Sequence, residues 1–377
     1  MGYPPTTFLI KLSTAFIFGE HRILSNFHGS IKNLNRMRSN SSFAIVALCF
    51  VALLLGCTPP TDTANSFLHD IEEGATPWAY EPQGRNNNQF SFALIGDLYS
   101  GERKGVFNVA INQLNLLRPD FILSVGDLID GGTENLDTLR KQYDFFDQRI
   151  AQATAPLFHV GGNHDLTNVV MRKFWEERYG RRYYHFIYKD VLFLILDSED
   201  YEEERMHEIY LARAAYIEAA DGPNPELAKD MEYMSMPERK TGEISGEQSA
   251  YFEKVIADHP EVRWTMLFMH KPVWQREGEN GLSRIETALG SRDYTVINGH
   301  LHNYSHTIRN NRDYITLATT SGGQNPNSDM AFDHITVVSF MEKEPIIATL
   351  RMDGILDKSA RIPGATDDMC FQASKCK

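Results

Sequence analysis

Cysteine, positive charge and long apolar runs are all scarce in this 377-residue chain. Four cysteines are too few for a disulfide framework that replaces a hydrophobic core. Acidic residues outnumber lysine and arginine by 50 to 37, and a net charge of −13 opposes the binding of nucleic acid and other large polyanions. The apolar run at residues 43–55 is too short to span a bilayer comfortably. What remains is a globular composition, 42% apolar, long enough for one large α/β domain or two ordinary ones.

The apolar run at 43–55 has the length of a signal-peptide core and ends in Leu-Leu-Gly-Cys57. This ending resembles the lipobox of bacterial lipoproteins. The resemblance implies that Cys57 is lipidated and begins the mature chain, attached to a membrane of the bacterial cell envelope and exported from the cytoplasm. Arg38 directly follows Met37, which suggests that translation starts at Met37. The alternative is an uncleaved signal or membrane anchor.

Removing the signal region, 1–56, changes both the charge and the cysteine count. The remaining chain carries a net charge of −17. Cys49 leaves with the signal and Cys57 would carry the lipid, so only Cys370 and Cys376 remain. In an oxidising envelope these two could close a small disulfide loop, and they are too far from other ligands in the sequence to suggest a metal site.

Composition divides the rest of the chain into a tether, a domain and a tail. Residues 57–88 are rich in Pro, Thr, Asn and Gly and predict a flexible tether. Residues 89–355 form the predicted domain, followed by a C-terminal tail at 356–377. The charged stretch 199–244 interrupts the domain as an insertion, which could be a lid over a site or a solvated excursion.

Strand-like and helix-like segments alternate from residue 90, which predicts an α/β layered architecture with strands buried on both faces. Towards the C-terminus only short strand signals follow, which suggests a second, more antiparallel sheet packed on the first. The predicted strands are 92–95, 121–125, 157–160, 191–196, 262–269 and 294–297, then 304–309, 313–318, 334–340 and 346–353; the predicted helices are 105–117, 134–152, 167–178 and 246–258.

Candidate metal ligands follow five of the predicted strands, and in four cases a glycine comes immediately before them. Ligand sites in open α/β sheets gather at the carboxyl ends of strands, so these residues can converge in one cleft. Taken singly each is weak, because a lone Gly-Asp is usually a turn and a lone histidine is usually structural. The five are Gly96-Asp97, Gly126-Asp127, Gly162-Asn163-His164-Asp165, His270 and Gly299-His300-Leu301-His302.

The spacing of His300 and His302 predicts that both imidazoles face one cleft if the segment is extended, with Leu301 turned to the core. Carboxylate, amide and imidazole ligands suit divalent or transition metals such as Mn, Fe, Zn or Ni. Soft thiolate ligands are absent from this set.

In their order along the chain, GD, GDLID, GNHD, a solitary His and GHLH resemble the calcineurin-like metallophosphoesterase superfamily, over about residues 90–320. The resemblance implies a four-layer αββα sandwich of two mixed β-sheets flanked by helices. It also implies two metal ions and a bridging hydroxide that attacks the phosphorus of a small phosphorylated substrate, a mono- or diester. The implied ligands are Asp97 and His302 on the first metal, Asn163, His270 and His300 on the second, and Asp127 bridging the two.

The same resemblance implies that His164 protonates the leaving oxygen and that Asp130 orients His164 by hydrogen bonding. The sequence departs from the family pattern at Tyr99, where the first motif usually has a histidine. If strand alternation continues, Tyr99 faces the same way as Asp97 and could be a metal ligand, or contact a ligand or the substrate.

Several further residues remain open between a substrate contact and a structural role: Lys271, Asn303, His306 and the loop 319–327. The leading prediction is a metal-dependent phosphoesterase. The alternative is a catalytically degenerate envelope lipoprotein that acts as a binding or scaffolding module. The chain keeps Asp127, Asn163 and His164, and this favours catalysis.

Overall fold

The computed structural model describes residues 67–80, 88–99 and 101–376. The predicted signal region, Met37 and the lipidation site Cys57 lie outside the described residues. Within the described ranges, every helix is too short or too polar to cross a membrane.

Twelve strands and six α-helices make up the described part of the chain. The strands are β1 Phe67–His69, β2 Phe90–Ile95, β3 Phe121–Ser124, β4 Leu157–Phe158, β5 Tyr184–Tyr188, β6 Val191–Ile195, β7 Trp264–Phe268, β8 Tyr294–Asn298, β9 Ser305–Arg309, β10 Arg312–Thr316, β11 His334–Phe340 and β12 Pro345–Arg351. The helices are α1 Val106–Leu117, α2 Leu136–Ile150, α3 Val169–Tyr179, α4 Glu203–Ala220, α5 Gly246–Asp258 and α6 Gly281–Leu289.

The strands form two mixed sheets. Sheet A has the order β1-β5-β6-β7-β8-β10-β9, and sheet B has the order β12-β11-β2-β3-β4. Strands β6, β7, β8 and β10 run parallel in sheet A, and β2, β3 and β4 run parallel in sheet B. The carboxyl ends of these parallel strands lead into the loops that carry the candidate ligands.

The sheets pack face to face across an aromatic core, and helices cover both outer faces. Phe92 of sheet B meets Phe193 of sheet A edge-on, with 5.3 Å between ring centroids. The outer face of sheet B is covered by α1, α2 and α3, and that of sheet A by α5 and α6. This arrangement confirms the predicted four-layer αββα sandwich. Helix α5 has the predicted bounds, and the Ser245 side chain caps its N-terminus by accepting a hydrogen bond from the Gln248 amide.

The C-terminal strands do not form a sheet of their own, contrary to our expectation. Strands β9 and β10 extend sheet A beyond β8, whereas β11 and β12 extend sheet B beyond β2. Periodicity identifies a strand but not its partner. The free edge of β2 is completed by β11, some 240 residues further along the chain, which satisfies its backbone hydrogen bonds.

The predicted tether at 57–88 is wrong for its described central part. Strand β1 pairs with β5 as an edge strand of sheet A, and Trp78 is buried against Phe158. Buried Ile71 and Trp78 stabilise this segment through their apolar area, which outweighs its polar composition.

The C-terminal tail also packs on the domain. Phe371 is buried, and its carbonyl accepts a hydrogen bond from the Asp333 amide. Cys370 and Cys376 form a disulfide.

Candidate metal centre

Two of the candidate ligands are loop aspartates, and each directly follows a glycine at the end of a strand. Asp97 and Asp127 both have left-handed backbones, with φ of 50° and 56°. The approach of the neighbouring loops is so close that a Cβ on Gly126 would lie 2.6 Å from His270 Nδ1, and one on Gly162 would lie 2.3 Å from Asp127 Oδ1. Glycine is therefore required where these loops meet.

The candidate ligands form two groups that share Asp127. One group is Asp127, His270 and His300, and the other is Asp97, Asp127 and His302; within each, one ligand atom per residue lies within 4.8 Å of the others. The structure thus brings together five of the six predicted ligands. The sixth, Asn163, joins the first group through its Oδ1, 3.1 Å from His270 Nε2.

Main-chain carbonyls orient all three imidazoles. His270 Nδ1 lies 2.8 Å from the Val125 carbonyl, His300 Nε2 lies 2.9 Å from the Arg239 carbonyl, and His302 Nδ1 lies 2.5 Å from the Gly323 carbonyl. A carbonyl can only accept, so the nitrogen facing it carries the proton. In each neutral ring the other nitrogen therefore presents its lone pair to the aspartates, as a metal-binding histidine requires.

Several acceptor atoms converge around His270 Nε2 in consequence. This nitrogen lies 3.2 Å from Asp127 Oδ2, 3.1 Å from Asn163 Oδ1 and 3.3 Å from His300 Nδ1. Lone pairs this close repel one another unless a proton or a cation lies between them. The buried mixture of carboxylate, amide and imidazole fits divalent or transition metal ions.

The electrostatics of the centre agree with this need for positive charge. Burial opposes ionisation of Asp127, but His270 and His164 outweigh it and hold the pKa of Asp127 well below its usual value. Burial disfavours the charged form of His270, yet Asp127 and Asp97 raise its pKa to about 9. Burial likewise opposes charge on His302, while Asp97 raises its pKa to about 8. His300, buried beside His270, has its pKa lowered well below the usual value.

His300 and His302 reach the centre by a different route from the one predicted. The segment is not extended, because both residues have left-handed backbones with φ of 73° and 50°. The two imidazoles consequently point to different ligand groups, and Leu301 is 38% exposed instead of turning to the core. The His300 amide donates to Asp97 Oδ1 at 2.9 Å, which ties this turn to β2.

The left-handed turn at Asp97 also changes the position of Tyr99. The turn breaks strand alternation, and Leu98 and Tyr99 both pack in the core beneath α1 and α2. The Tyr99 hydroxyl accepts a hydrogen bond from Arg149 Nη2 at 2.7 Å, and Arg149 also pairs with Glu102. Burial raises the pKa of Tyr99 far above its usual value. We find Tyr99 in this ion-pair network instead of in the cleft, contrary to the expected metal or substrate contact.

His164 lies beside the ligand groups. Its amide donates to Asp127 Oδ1 at 2.9 Å, and its Nδ1 lies 2.6 Å from the main-chain carbonyl of Asp130. The hydrogen bond between Asp130 and His164 is thus made by the main-chain carbonyl of Asp130. Asp165, buried behind the loop, accepts hydrogen bonds from the Leu128 and Gly162 amides, so it links the two loops.

The insertion covers part of the centre, as a lid would. Two of its residues contact histidines of the site: Arg239 through its carbonyl, and Arg213 of α4 through a guanidinium nitrogen 3.2 Å from His164 Nε2. Sequence reasoning missed both. A main-chain contact leaves no residue signature, and helix α4 has too little amphipathic pattern to mark Arg213 in the sequence.

The other candidates have structural or surface positions. Lys271 is buried, with its ammonium 2.9 Å from Glu199 Oε2 and 2.8 Å from the Glu238 carbonyl. His306 is exposed and paired with Asp313, and Asn303 accepts from Ser328. The loop 319–327 does border the centre, through the Gly323 carbonyl that holds His302.

A two-sheet sandwich with carboxylates and imidazoles gathered at its strand ends is the architecture of a metal-binding α/β protein. The family model of the calcineurin-like phosphoesterases matches residues 90–304. The chain belongs to this family.

The similar proteins include one named as a phosphodiesterase and one named as a protein phosphatase. A probable glycerophosphodiester phosphodiesterase GpdQ of Arcobacter nitrofigilis is 24% identical over 229 residues, which cover 58% of this chain and 70% of that protein. The human serine/threonine-protein phosphatase CPPED1 is 36% identical over 102 residues, 25% of this chain and 31% of that protein. Among solved structures, the purple acid phosphatase PPD1 of yellow lupin seeds has a TM-score of 0.46 at 12% identity, over 70% of this chain and 51% of that chain.

Proposed function

We propose that this protein hydrolyses phosphate esters at a centre of two metal ions. The observation that carries the proposal is the pair of ligand groups sharing Asp127, with imidazole lone pairs and carboxylate oxygens directed at common points. Asp97 and His302 would hold one ion; Asn163, His270 and His300 would hold the other; Asp127 would contact both. Two such cations supply a nucleophile at neutral pH and neutralise the charge of the phosphoryl oxygens.

The chain's own contribution beyond the ligands is His164. Its Nδ1–H donates a hydrogen bond to the Asp130 carbonyl, so Nε2 is the nitrogen that exchanges a proton with the substrate. We infer that His164 gives a proton to the departing oxygen as a general acid. Burial lowers the pKa of His164, and the nearby Asp127 carboxylate opposes this shift by favouring the protonated imidazole.

The proposed substrate is a small phosphate monoester or diester. Relatives named as a phosphodiesterase and as a protein phosphatase are consistent with either. The negative charge of the chain disfavours nucleic acid and other large polyanions as substrates.

The test compares the wild type with Asp127→Asn and His164→Ala after loading with Mn²⁺ or Zn²⁺. We expect Asp127→Asn to lose bound metal and activity together, because it removes the shared charge. His164→Ala should retain metal and lose about 10²- to 10⁴-fold in kcat on an alkyl phosphate. The loss should be smaller on p-nitrophenyl phosphate, whose leaving group departs without a proton.

Two measurements are made. Mass spectrometry gives the metal content, and activity is followed as hydrolysis of p-nitrophenyl phosphate, bis-p-nitrophenyl phosphate and glycerol phosphate. Metal-loaded wild type that hydrolyses none of these esters would favour the alternative, a binding or scaffolding module. If His164→Ala hydrolysed all three esters as fast as the wild type, the role of His164 as a general acid would be rejected.

We also propose that the mature protein is attached to the bacterial envelope by lipid at Cys57. The motif at residues 54–57 supports this proposal, and the disulfide between Cys370 and Cys376 is consistent with an oxidising compartment. Cys57→Ser should move the protein from the membrane fraction to the soluble fraction of cells. Unchanged fractionation, with no lipid on Cys57 by mass spectrometry, would rule the anchor out.

A further inference from the structure

Helix α4 of the insertion carries an arginine on the same face as its two buried residues, Met206 and Ile209. Met206 and Ile209 are 2% and 7% exposed and pack with Tyr201, Tyr233 and Met236 in a small core of the insertion. Arg213 follows Ile209 by four residues and lies on the same helical face. Its side chain is therefore directed at the domain, where it reaches His164.

The guanidinium of Arg213 has no carboxylate or carbonyl partner among the residues that the structure describes. Its one hydrogen-bond contact runs from Nη2 to His164 Nε2 at 3.2 Å. Arg205, two turns earlier in the same helix, pairs instead with Glu208 and Glu238. Since a guanidinium has five N–H donors, most of those of Arg213 remain available to a ligand at the site.

The guanidinium lies over the loop that carries Asp127. A Cβ added to Gly132 would come within 2.8 Å of Arg213 Nη1, so the absence of a side chain at this position leaves the space that the guanidinium fills. Arg213 thus lies between His164 and the 127–132 loop, at the edge of the candidate metal centre. The insertion thereby places a positive charge at this edge of the centre.

We propose that Arg213 is a substrate-binding residue that holds the phosphoryl group through its terminal oxygens. This inference rests on the proposed phosphoesterase function. The planar fork of a guanidinium matches the oxygens of a phosphate, and a charge-assisted pair with phosphate is stronger than the contact with a neutral imidazole. Binding of substrate would transfer Arg213 from His164 to the phosphate, which frees the lone pair of His164 Nε2 to take up a proton from solvent and then give that proton to the departing oxygen.

The experiment uses the full chain loaded with Mn²⁺ and compares Arg213→Met with Arg213→Lys and Arg140→Met. Arg140→Met removes the same charge from an exposed side chain of α2 that pairs only with Asp137, so it is the matched control. Inorganic phosphate binding is measured by calorimetry, and hydrolysis of p-nitrophenyl phosphate gives kcat and KM across pH. Metal content and thermal unfolding are recorded for every variant.

Arg213→Met should weaken phosphate binding and raise KM by about 10- to 100-fold, the usual effect of losing a hydrogen bond to a charged group. Arg213→Lys should lie between Arg213→Met and the wild type, because an ammonium keeps the charge but not the fork. Arg140→Met should have the phosphate affinity and the KM of the wild type. If Arg213→Met does not fold, Arg213→Lys decides alone, since it must still bind phosphate more weakly than the wild type.

Phosphate binding by Arg213→Met as tight as that of Arg140→Met would overturn the inference. A change confined to kcat, with a displaced limb of the pH profile, would also overturn it, because Arg213 would then act through His164. In both cases the wild type still hydrolyses esters. A metal-loaded wild type that neither binds phosphate nor hydrolyses esters would instead reject the proposed function itself.

Discussion

At the residue scale, the site depends on backbone atoms as much as on the side chains of the candidate ligands and His164. The carbonyls of Val125, Arg239 and Gly323 each accept a hydrogen bond from one imidazole, and that of Asp130 accepts one from His164. Each contact selects a tautomer and a ring orientation before any ligand binds. The identity of the residue that supplies a carbonyl matters little, provided that its backbone keeps its path.

Asp130 gives a direct test of this distinction. Its carboxylate is exposed and its carbonyl holds His164, so Asp130→Asn leaves the orienting contact intact. We expect kcat/KM within about twofold of the wild type, the range of an ordinary surface substitution. Steady-state kinetics beside His164→Ala would check this. A loss as large as that of His164→Ala would mean that the Asp130 carboxylate itself takes part.

At the element scale, the insertion is tied to the metal centre by a short 3₁₀ turn, Pro237–Arg239. Glu238 in this turn has a side chain only 1% exposed, and its carboxylate is held at 3.0 Å by both Arg205 and Arg276. The Lys271 ammonium donates to the Glu238 carbonyl at 2.8 Å. The turn is thereby fixed with its last carbonyl against His300, so the insertion helps to orient a candidate metal ligand.

Glu238→Gln should therefore weaken metal binding although Glu238 is not a ligand. Neutralising the buried carboxylate weakens its contacts with both arginines and frees the turn that holds His300. We expect metal affinity to fall about tenfold, the lower end for residues that support ligands. Activity should recover at saturating metal.

The matched control is Glu253→Gln, because Glu253 also pairs with an arginine, Arg284, but on the exposed surface of α5. An exposed pair contributes at most about 1 kcal/mol, so metal affinity should not change. Metal titration followed by calorimetry distinguishes the two variants. Equal affinities would show that the turn does not act on His300.

At the scale of the whole molecule, buried neutral histidines couple folding to pH. His334 is 1% exposed, and its Nε2 accepts a hydrogen bond from the Ala318 amide at 3.0 Å. Burial lowers the pKa of His334 to about 3 and that of His185 to about 4. Between these values and the unfolded value of about 6.5, the unfolded chain binds more protons than the native one. Stability therefore falls as pH decreases through this window.

His334→Gln should reduce this pH dependence. Glutamine can still accept from the Ala318 amide but does not titrate, which removes up to about 1.4 kcal/mol per pH unit from the slope between pH 6.5 and 4. Urea unfolding at several pH values, with chelator present in all samples, measures the slope. His207→Gln, at an exposed position of α4, is the control. Identical slopes for the two variants would contradict the assignment.

Much of the fold and of the candidate site was predictable because the signals are local. Apolar periodicity located most strands and the helix Gly246–Asp258, and a glycine before each aspartate marked where a loop turns sharply. Since parallel strands bring their carboxyl ends to one edge, this local information sufficed to predict that the ligands converge. It did not reveal the left-handed turn at Asp97, so strand alternation gave the wrong side for Tyr99.

The family, the layered architecture and the set of candidate metal ligands were predictable from the sequence, since short motifs and local periodicity carry them. The fold alone shows which sheet each late strand joins, that residues 67–80 belong to the domain, and that Arg213 and the Arg239 carbonyl contact the histidines of the site. The contacts of β1, β11, Arg213 and the Arg239 carbonyl join residues about 50 to 240 positions apart. Their partners are selected by packing and by the need to satisfy buried polar atoms, and no local pattern encodes that choice.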